Sequence, residues 1–281
     1  MNLVSEIVEN SKPIDVINEI DSITFKKDYI NKQKPLLIKG FAKNWGATRK
    51  WSLDFFLNFE EDKDILLLDN NYIQDSHGFK KGSFKDYILK LKEAEKNNGT
   101  VKDYLTTLNI FHYFPELKED LDFSFYEKHT KLNDVSAWIG PSGTISDFHA
   151  DTANNVYAQI KGRKMFIICS PEFNKNMYPS NKHIYGAIAC SVNINNFDHT
   201  RFPNFKNTVF NTIILEPGDV LFIPKKWWHY VQALDSSISV SNFGYTKKEM
   251  YTLILKERIF QSLHKRGYYK RNNCFCCEEK K

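Results

Sequence analysis

The sequence is poor in cysteine: five in 281 residues, three of them in the last eight. An odd, terminally crowded set does not make a disulfide framework, so the expected compartment is a reducing cytoplasm. Glycine (12) and proline (9) are sparse, which excludes collagen-like and linker-like chains. No run of about 18 apolar residues occurs, so no membrane-crossing helix is expected. The opening Met1-Asn2-Leu3-Val4-Ser5-Glu6 lacks the basic-then-apolar order of a secretion signal. The body lacks a basic surplus: residues 247–281 carry a net charge of +6 and the rest of the chain −1. That short basic run, mixed with Glu, reads as a solvated helix face rather than a nucleic-acid surface. What abounds is aromatic mass, with 22 Phe, 14 Tyr and 5 Trp. This is too apolar for a disordered chain and sufficient for one large domain.

Local patterning divides the chain into three parts. Residues 1–134 read as a helical and strand extension. Helical texture with polar breaks runs over 1–34, strands are expected at Pro35–Gly40 and Ile65–Asp69, and a helix start near 51–58 has Ser52 as its N-cap. Residues 83–97 are amphipathic at helical period. Residues 135–246 read as a β core, with short strands at 136–140, 145–149, 154–161, 164–169, 210–215, 219–223, 229–234 and 237–244. Eight such strands predict a mainly β fold, a barrel or double-sheet jelly roll. Gly162-Arg163 reads as a two-residue hairpin turn. Residues 247–281 read as a helix and a basic, Cys-containing tail; the helix could pair with a second copy through Met250, Leu253, Ile254, Phe260 and Leu263.

Two segments carry chemistry. In His149-Ala150-Asp151, residues i and i+2 of a strand share a face, so an imidazole and a carboxylate can converge on one ion. In Glu216-Pro217-Gly218-Asp219 through His229, a Pro-Gly turn, a strand and a Pro-broken bend deliver a second histidine to the start of another strand. Two His and one Asp suit a non-haem Fe(II) oxygenase, and Zn(II) accepts the same donors. With a hairpin at 162–163, Asn155, Tyr157, Gln159, Lys164 and Phe166 line one surface. If that surface faces inward, Lys164 is a buried cation that a dicarboxylic co-substrate would satisfy.

At these residues the sequence resembles the JmjC and cupin-like 2-oxoglutarate oxygenases, over about residues 30–246. Trp138 through Asp151 resembles their first metal-binding segment, Asn155 through Lys164 the lysine segment, and Pro217 through His229 the distal histidine segment. The resemblance implies a double-stranded β-helix with Fe(II) held by His149, Asp151 and His229. It also implies 2-oxoglutarate held by Lys164 with Ser146 and Tyr104, and Asn155 and Asn242 lining the co-substrate pocket. O2 would be the second co-substrate. Trp138 and Tyr157, with Trp227 and Trp228, are candidate pocket walls, and Asp69 is the one acid able to meet a guanidinium as in the arginyl-hydroxylating branch. The implied reaction is hydroxylation of a C–H bond in a protein side chain, a tRNA base or a small molecule, giving succinate and CO2. The alternative is a non-catalytic or Zn-containing cupin-like binding module. Cys274-Phe275-Cys276-Cys277 has no His or Cys nearby in sequence to complete a tetrahedral site, so it reads as a flexible, oxidisable end.

Overall fold

Fourteen strands form among the described residues, which are 3–69, 79–97 and 99–274 of this computed structural model. In chain order they are β1 (Asp15–Ile17), β2 (Leu36–Ile38), β3 (Asp64–Asp69), β4 (Phe79–Ser83), β5 (Asp103–Leu108), β6 (Leu132–Gly140) and β7 (Ile145–Asp151). There follow β8 (Asn154–Lys161), β9 (Lys164–Cys169), β10 (Ala187–Ala189), β11 (Asn211–Leu215), β12 (Val220–Ile223), β13 (Trp228–Ala233) and β14 (Ser237–Tyr245). They form a large sheet ordered β1-β2-β12-β8-β14-β6-β5-β3-β4 and a small sheet ordered β10-β7-β13-β9-β11.

The expected jelly roll sits at the centre of both. Strands β12-β8-β14-β6 of the large sheet face β7-β13-β9-β11 of the small one. The N-terminal region adds β1 and β2 at one edge of the large sheet and β3–β5 at the other. Helices cover its outer face, where Phe25, Phe56, Phe84 and Ile88 pack with Val156, Ala158, Phe222 and Val240. Helix Leu53–Leu57 begins where expected, with Ser52 accepting from Phe55 N at 3.0 Å. Helix Phe84–Asn97 matches the amphipathic stretch. The outer face of the small sheet is closed by Phe148, Phe205, Phe210, Trp228 and Tyr230. Between the sheets, Leu37, Phe166, Ile168, Ile213, Leu215, Leu221 and Ile223 fill one end, and the other end holds a cavity.

Three expectations change. The 162–163 turn is not a hairpin: β8 lies in the large sheet and β9 in the small one, so the turn carries the chain from layer to layer. Gly162 has φ +68°, and a Cβ there would stand 2.2 Å from Ser236 O. Arg163 clamps the corner through Asp235, with Nε donating to Oδ2 at 2.8 Å and Nη2 to Oδ1 at 3.1 Å. Residues 1–34 are helical only over Leu3–Glu9 and from Ser22 to Ile30, with β1 between. The stretch 247–265 is helical and opens on a capping box of Thr246 and Glu249. It lays Ile254 and His264 against its own chain, so the expected pairing of two copies finds no support. No described helix is long and apolar enough to cross a membrane.

Candidate metal centre

The site begins with strand register. His149 on β7 is the direct cross-strand partner of His229 on β13, and the two rings lie 4.0 Å apart. Asp151, two residues after His149, returns to the same face. Its Oδ2 is 3.5 Å from His229 Nε2 and its Oδ1 is 3.9 Å from His149 Nε2. The three side chains bring one ligand atom each within 4.8 Å of one another, the one such trio among the described residues.

Backbone carbonyls orient both imidazoles. His149 Nδ1 donates to Asp147 O at 2.7 Å, and His229 Nδ1 donates to Trp227 O at 3.1 Å. Each bond fixes the tautomer that presents the Nε2 lone pair to the shared point, the outer support expected of metal-ligating histidines. Burial pushes the Asp151 carboxyl upward, with His149 opposing it. Burial, and then His149, pushes His229 well below the ordinary imidazole range. A divalent cation among these groups would compensate the desolvated carboxylate and take both lone pairs.

The same cavity, about 290 Å³, runs between the sheets to Lys164. Lys164 is 1% exposed, and its Nζ donates to Tyr157 Oη at 2.9 Å and to Tyr104 Oη at 3.2 Å. No carboxylate pairs with it among the described residues, and burial alone pushes its ammonium down to about 7. Lys164 reaches this spot because β9 lies beside β13 in the small sheet, while Tyr157 and Tyr104 come from β8 and β5 of the large one. The shared surface is therefore the inside of a sandwich rather than one face of a hairpin. Gly140 makes room: a Cβ there would meet Tyr104 Cδ2 at 2.4 Å. Ser146 and Asn155 also line the cavity, and the buried Asn155 Oδ1 has no hydrogen-bond partner. The nitrogen and oxygen donor set, the unpaired ammonium and the orphaned amide all fit a divalent cation with a dianionic chelator.

The other expected residues divide. Trp138 lines the cavity, its Nε1 donating to Ser241 Oγ at 3.2 Å. Asn242 does not: it lies on the opposite face of β14, where its Nδ2 donates to Glu127 Oε1 and its Oδ1 accepts from Asn133 Nδ2, both at 2.7 Å. Strand parity turns Ser241, Phe243 and Tyr245 inward instead. Gln159, buried like them, is spent on the corner, donating to Lys161 O at 2.8 Å and Gly162 O at 2.9 Å. Trp228 is buried behind the small sheet and Trp227 donates to Gln33 O at 3.0 Å, so neither walls the site. Asp69 ends β3 opposite Asp103, and its side chain lies outside the described ones. Sequence reading missed Thr106, Asp134, Tyr185 and Val231, which also line the cavity. Strand parity could have found three of them: Val231 is two residues from His229 on β13, Thr106 two from Tyr104 on β5, and Asp134 four from Trp138 on β6.

Comparison with known proteins follows the same outline. The cupin-like domain family matches residues 22–249. The chain is 33% identical over 222 residues to "Lysine-specific demethylase 8" of Xenopus tropicalis, covering 77% of this chain and 49% of that protein. It is 30% identical over 255 residues to "JmjC domain-containing protein D" of Dictyostelium discoideum, covering 83% and 57%. It is 29% identical over 222 residues to "Lysine-specific demethylase JMJ30" of Arabidopsis thaliana, covering 77% and 51%. The chain thus spans about half the length of the curated relatives it matches.

Proposed function

This chain belongs to the cupin-like family and has JmjC-domain relatives, and from that premise we propose that it is an Fe(II)- and 2-oxoglutarate-dependent oxygenase that hydroxylates a C–H bond. The observation that carries the proposal is Lys164, a buried ammonium with hydroxyl partners and no carboxylate partner among the described residues, in one cavity with His149, Asp151 and His229. His149, Asp151 and His229 would hold the metal. Lys164, with the Tyr104 and Tyr157 hydroxyls, would hold the far carboxylate of the co-substrate, and Ser146 and Asn155 supply further polar contacts. Bound there, Fe(II) and 2-oxoglutarate supply the oxidation of an unactivated C–H bond by O2, with succinate and CO2 as co-products. The protein's part is to orient the reacting carbon and keep water out. Trp138, Tyr185, Phe243 and Tyr245 form the apolar wall for that task.

A basic side chain of a protein is the substrate this cavity favours. Asp134 lines it on the same strand as Trp138, and burial raises its carboxyl, with no basic side chain among the described residues offsetting the effect. Two relatives are named as lysine-specific demethylases. Hydroxylation covers both outcomes, because a hydroxylated N-methyl group leaves as formaldehyde, whereas a hydroxylated methylene stays.

The test is succinate release by the purified protein with Fe(II), ascorbate and 2-oxoglutarate, together with a search for peptides heavier by one oxygen or lighter by one methyl group. Loss of succinate in His149→Ala supports the reading. Zinc content without 2-oxoglutarate binding would overturn it in favour of a binding module.

A further inference from the structure

Folding separates the charges of the basic run after residue 246. Cys274 in it is buried, and Cys276 and Cys277 lie outside the described residues. The two described acids of the run turn inward. Glu249 is buried, pairs with Lys225 and closes the capping box. Glu257 is half-buried in a groove of about 470 Å³, with Thr152 at its side. Burial raises the Glu257 carboxyl, with no lysine among the described residues offsetting the effect. What helix Leu255–Lys265 shows to solvent is Lys256, Arg258 and Lys265, with Leu255 and Ile259, 55% and 51% exposed, on the same side. None of the three cations pairs with a carboxylate among the described residues.

The groove extends the metal cavity. Residues 184–187 line both, and Thr152 follows Asp151 directly. Phe260 and Tyr269 also line the groove, their ring centroids 4.7 Å apart. Each ring carries a lysine. Lys256 Nζ stands 5.9 Å from the Phe260 centroid, and Lys270 Nζ 5.6 Å from that of Tyr269. Tyr269 and Lys270 return to the helix because the chain reverses at Gly267, where φ is +83°. An aromatic face holds a cation in place without neutralising it. Two such ammonium groups on one groove, neither paired with a carboxylate among the described residues, complement an anionic ligand. Leu255 and Ile259 add an apolar anchor on the same helix. Aliphatic side chains give a nucleic-acid base nothing to stack on, so the combination fits a polypeptide.

We propose, on the oxygenase reading of the metal cavity, that this groove receives an acidic stretch of the same protein whose basic side chain enters that cavity. Asp134 lines the inner subsite, and Lys256 and Lys270 line the outer one. Tyr185, 53% exposed, stands on the wall the two share. A substrate chain crossing Tyr185 thus meets an acid on one side and two cations on the other. This selects a basic residue with Asp or Glu a few positions away.

The experiment uses the full chain and reads binding without iron or 2-oxoglutarate. The probes are fluorescent peptides of equal length, each with one lysine followed by a run of Glu and Leu, of Gln and Leu, or of Lys and Leu. The Glu peptide is expected to bind about tenfold more tightly than the Gln peptide, an advantage that shrinks as salt is raised. In Lys256→Glu/Lys270→Glu the preference is expected to reverse in favour of the Lys peptide, a gain that misfolding cannot produce. Equal affinity of the wild type for the Glu and Gln peptides, or unchanged affinity of the double variant for the Glu peptide, overturns the proposal. An oligouridylate that binds the wild type more tightly than the Glu peptide overturns it in favour of a nucleic-acid surface. Succinate release, measured separately, decides the oxygenase reading, so each can fail without the other.

Discussion

The Lys164 ammonium on the small sheet lies 2.9 Å from the Tyr157 hydroxyl on the large one. A buried positive charge thus bridges the two layers, fully desolvated and held by neutral partners. Its burial is a cost in the absence of an anion and an advantage in its presence, and two predictions rest on that.

Lys164→Met is expected to weaken 2-oxoglutarate binding roughly 10- to 100-fold, the value of one charge-assisted hydrogen bond or more. The same change should raise the melting temperature of the ligand-free protein by a few degrees. The sign follows from the lowered ammonium, at about 7 in the folded chain. Below that pH the fold must bury a charge that the unfolded chain keeps in water, so the gain is largest there. It shrinks as pH rises through 7 toward the ordinary lysine range. Calorimetric titration and thermal melts at two pH values measure both effects, and unchanged 2-oxoglutarate affinity would contradict the assignment.

Co-substrate affinity should fall with alkalinity. Only protonated Lys164 attracts a dianion, so the dissociation constant is expected to rise about tenfold per unit above pH 7, where the neutral amine takes over. Lys164→Arg keeps its charge and should flatten that profile, whatever its affinity. A wild-type profile that is level from pH 7 to 9 would remove the buried cation from the binding step.

Gly140→Ala probes how Tyr104 is seated. The added methyl would occupy space 2.4 Å from Tyr104 Cδ2, so the ring must move away from Lys164. We expect the dissociation constant for 2-oxoglutarate to rise roughly tenfold, about 1.4 kcal/mol, while iron binding is retained. Metal analysis alongside the titration distinguishes this from general unfolding.

Asn242→Ala should cost about 1–3 kcal/mol of stability, because Glu127 and Asn133 each lose a buried partner. It should leave 2-oxoglutarate affinity within about twofold of wild type. Asn155→Leu should do the reverse, sparing stability and weakening the co-substrate. Urea unfolding and titration of both variants decide it, and a matched loss of affinity in Asn242→Ala would restore that residue to the pocket.

Much of this protein is written locally. Short β-rich runs between turn residues mark the eight jelly-roll strands, of which β8, β9 and β12 are buried on both faces and so read as nearly continuous apolar runs. His149 and Asp151 share a face by the pleat's period of two, and Ser52 caps its helix through an atom three residues away. Pairing across the chain is another matter. That β8 and β9 belong to different sheets, that Ser241 rather than Asn242 turns inward, and that Trp227 and Trp228 leave the site were decided by which layer each strand joins. Local sequence sets the period of a strand, but the burial of two facing sheets sets its partner and its phase, and that free energy exists only once distant segments have come together.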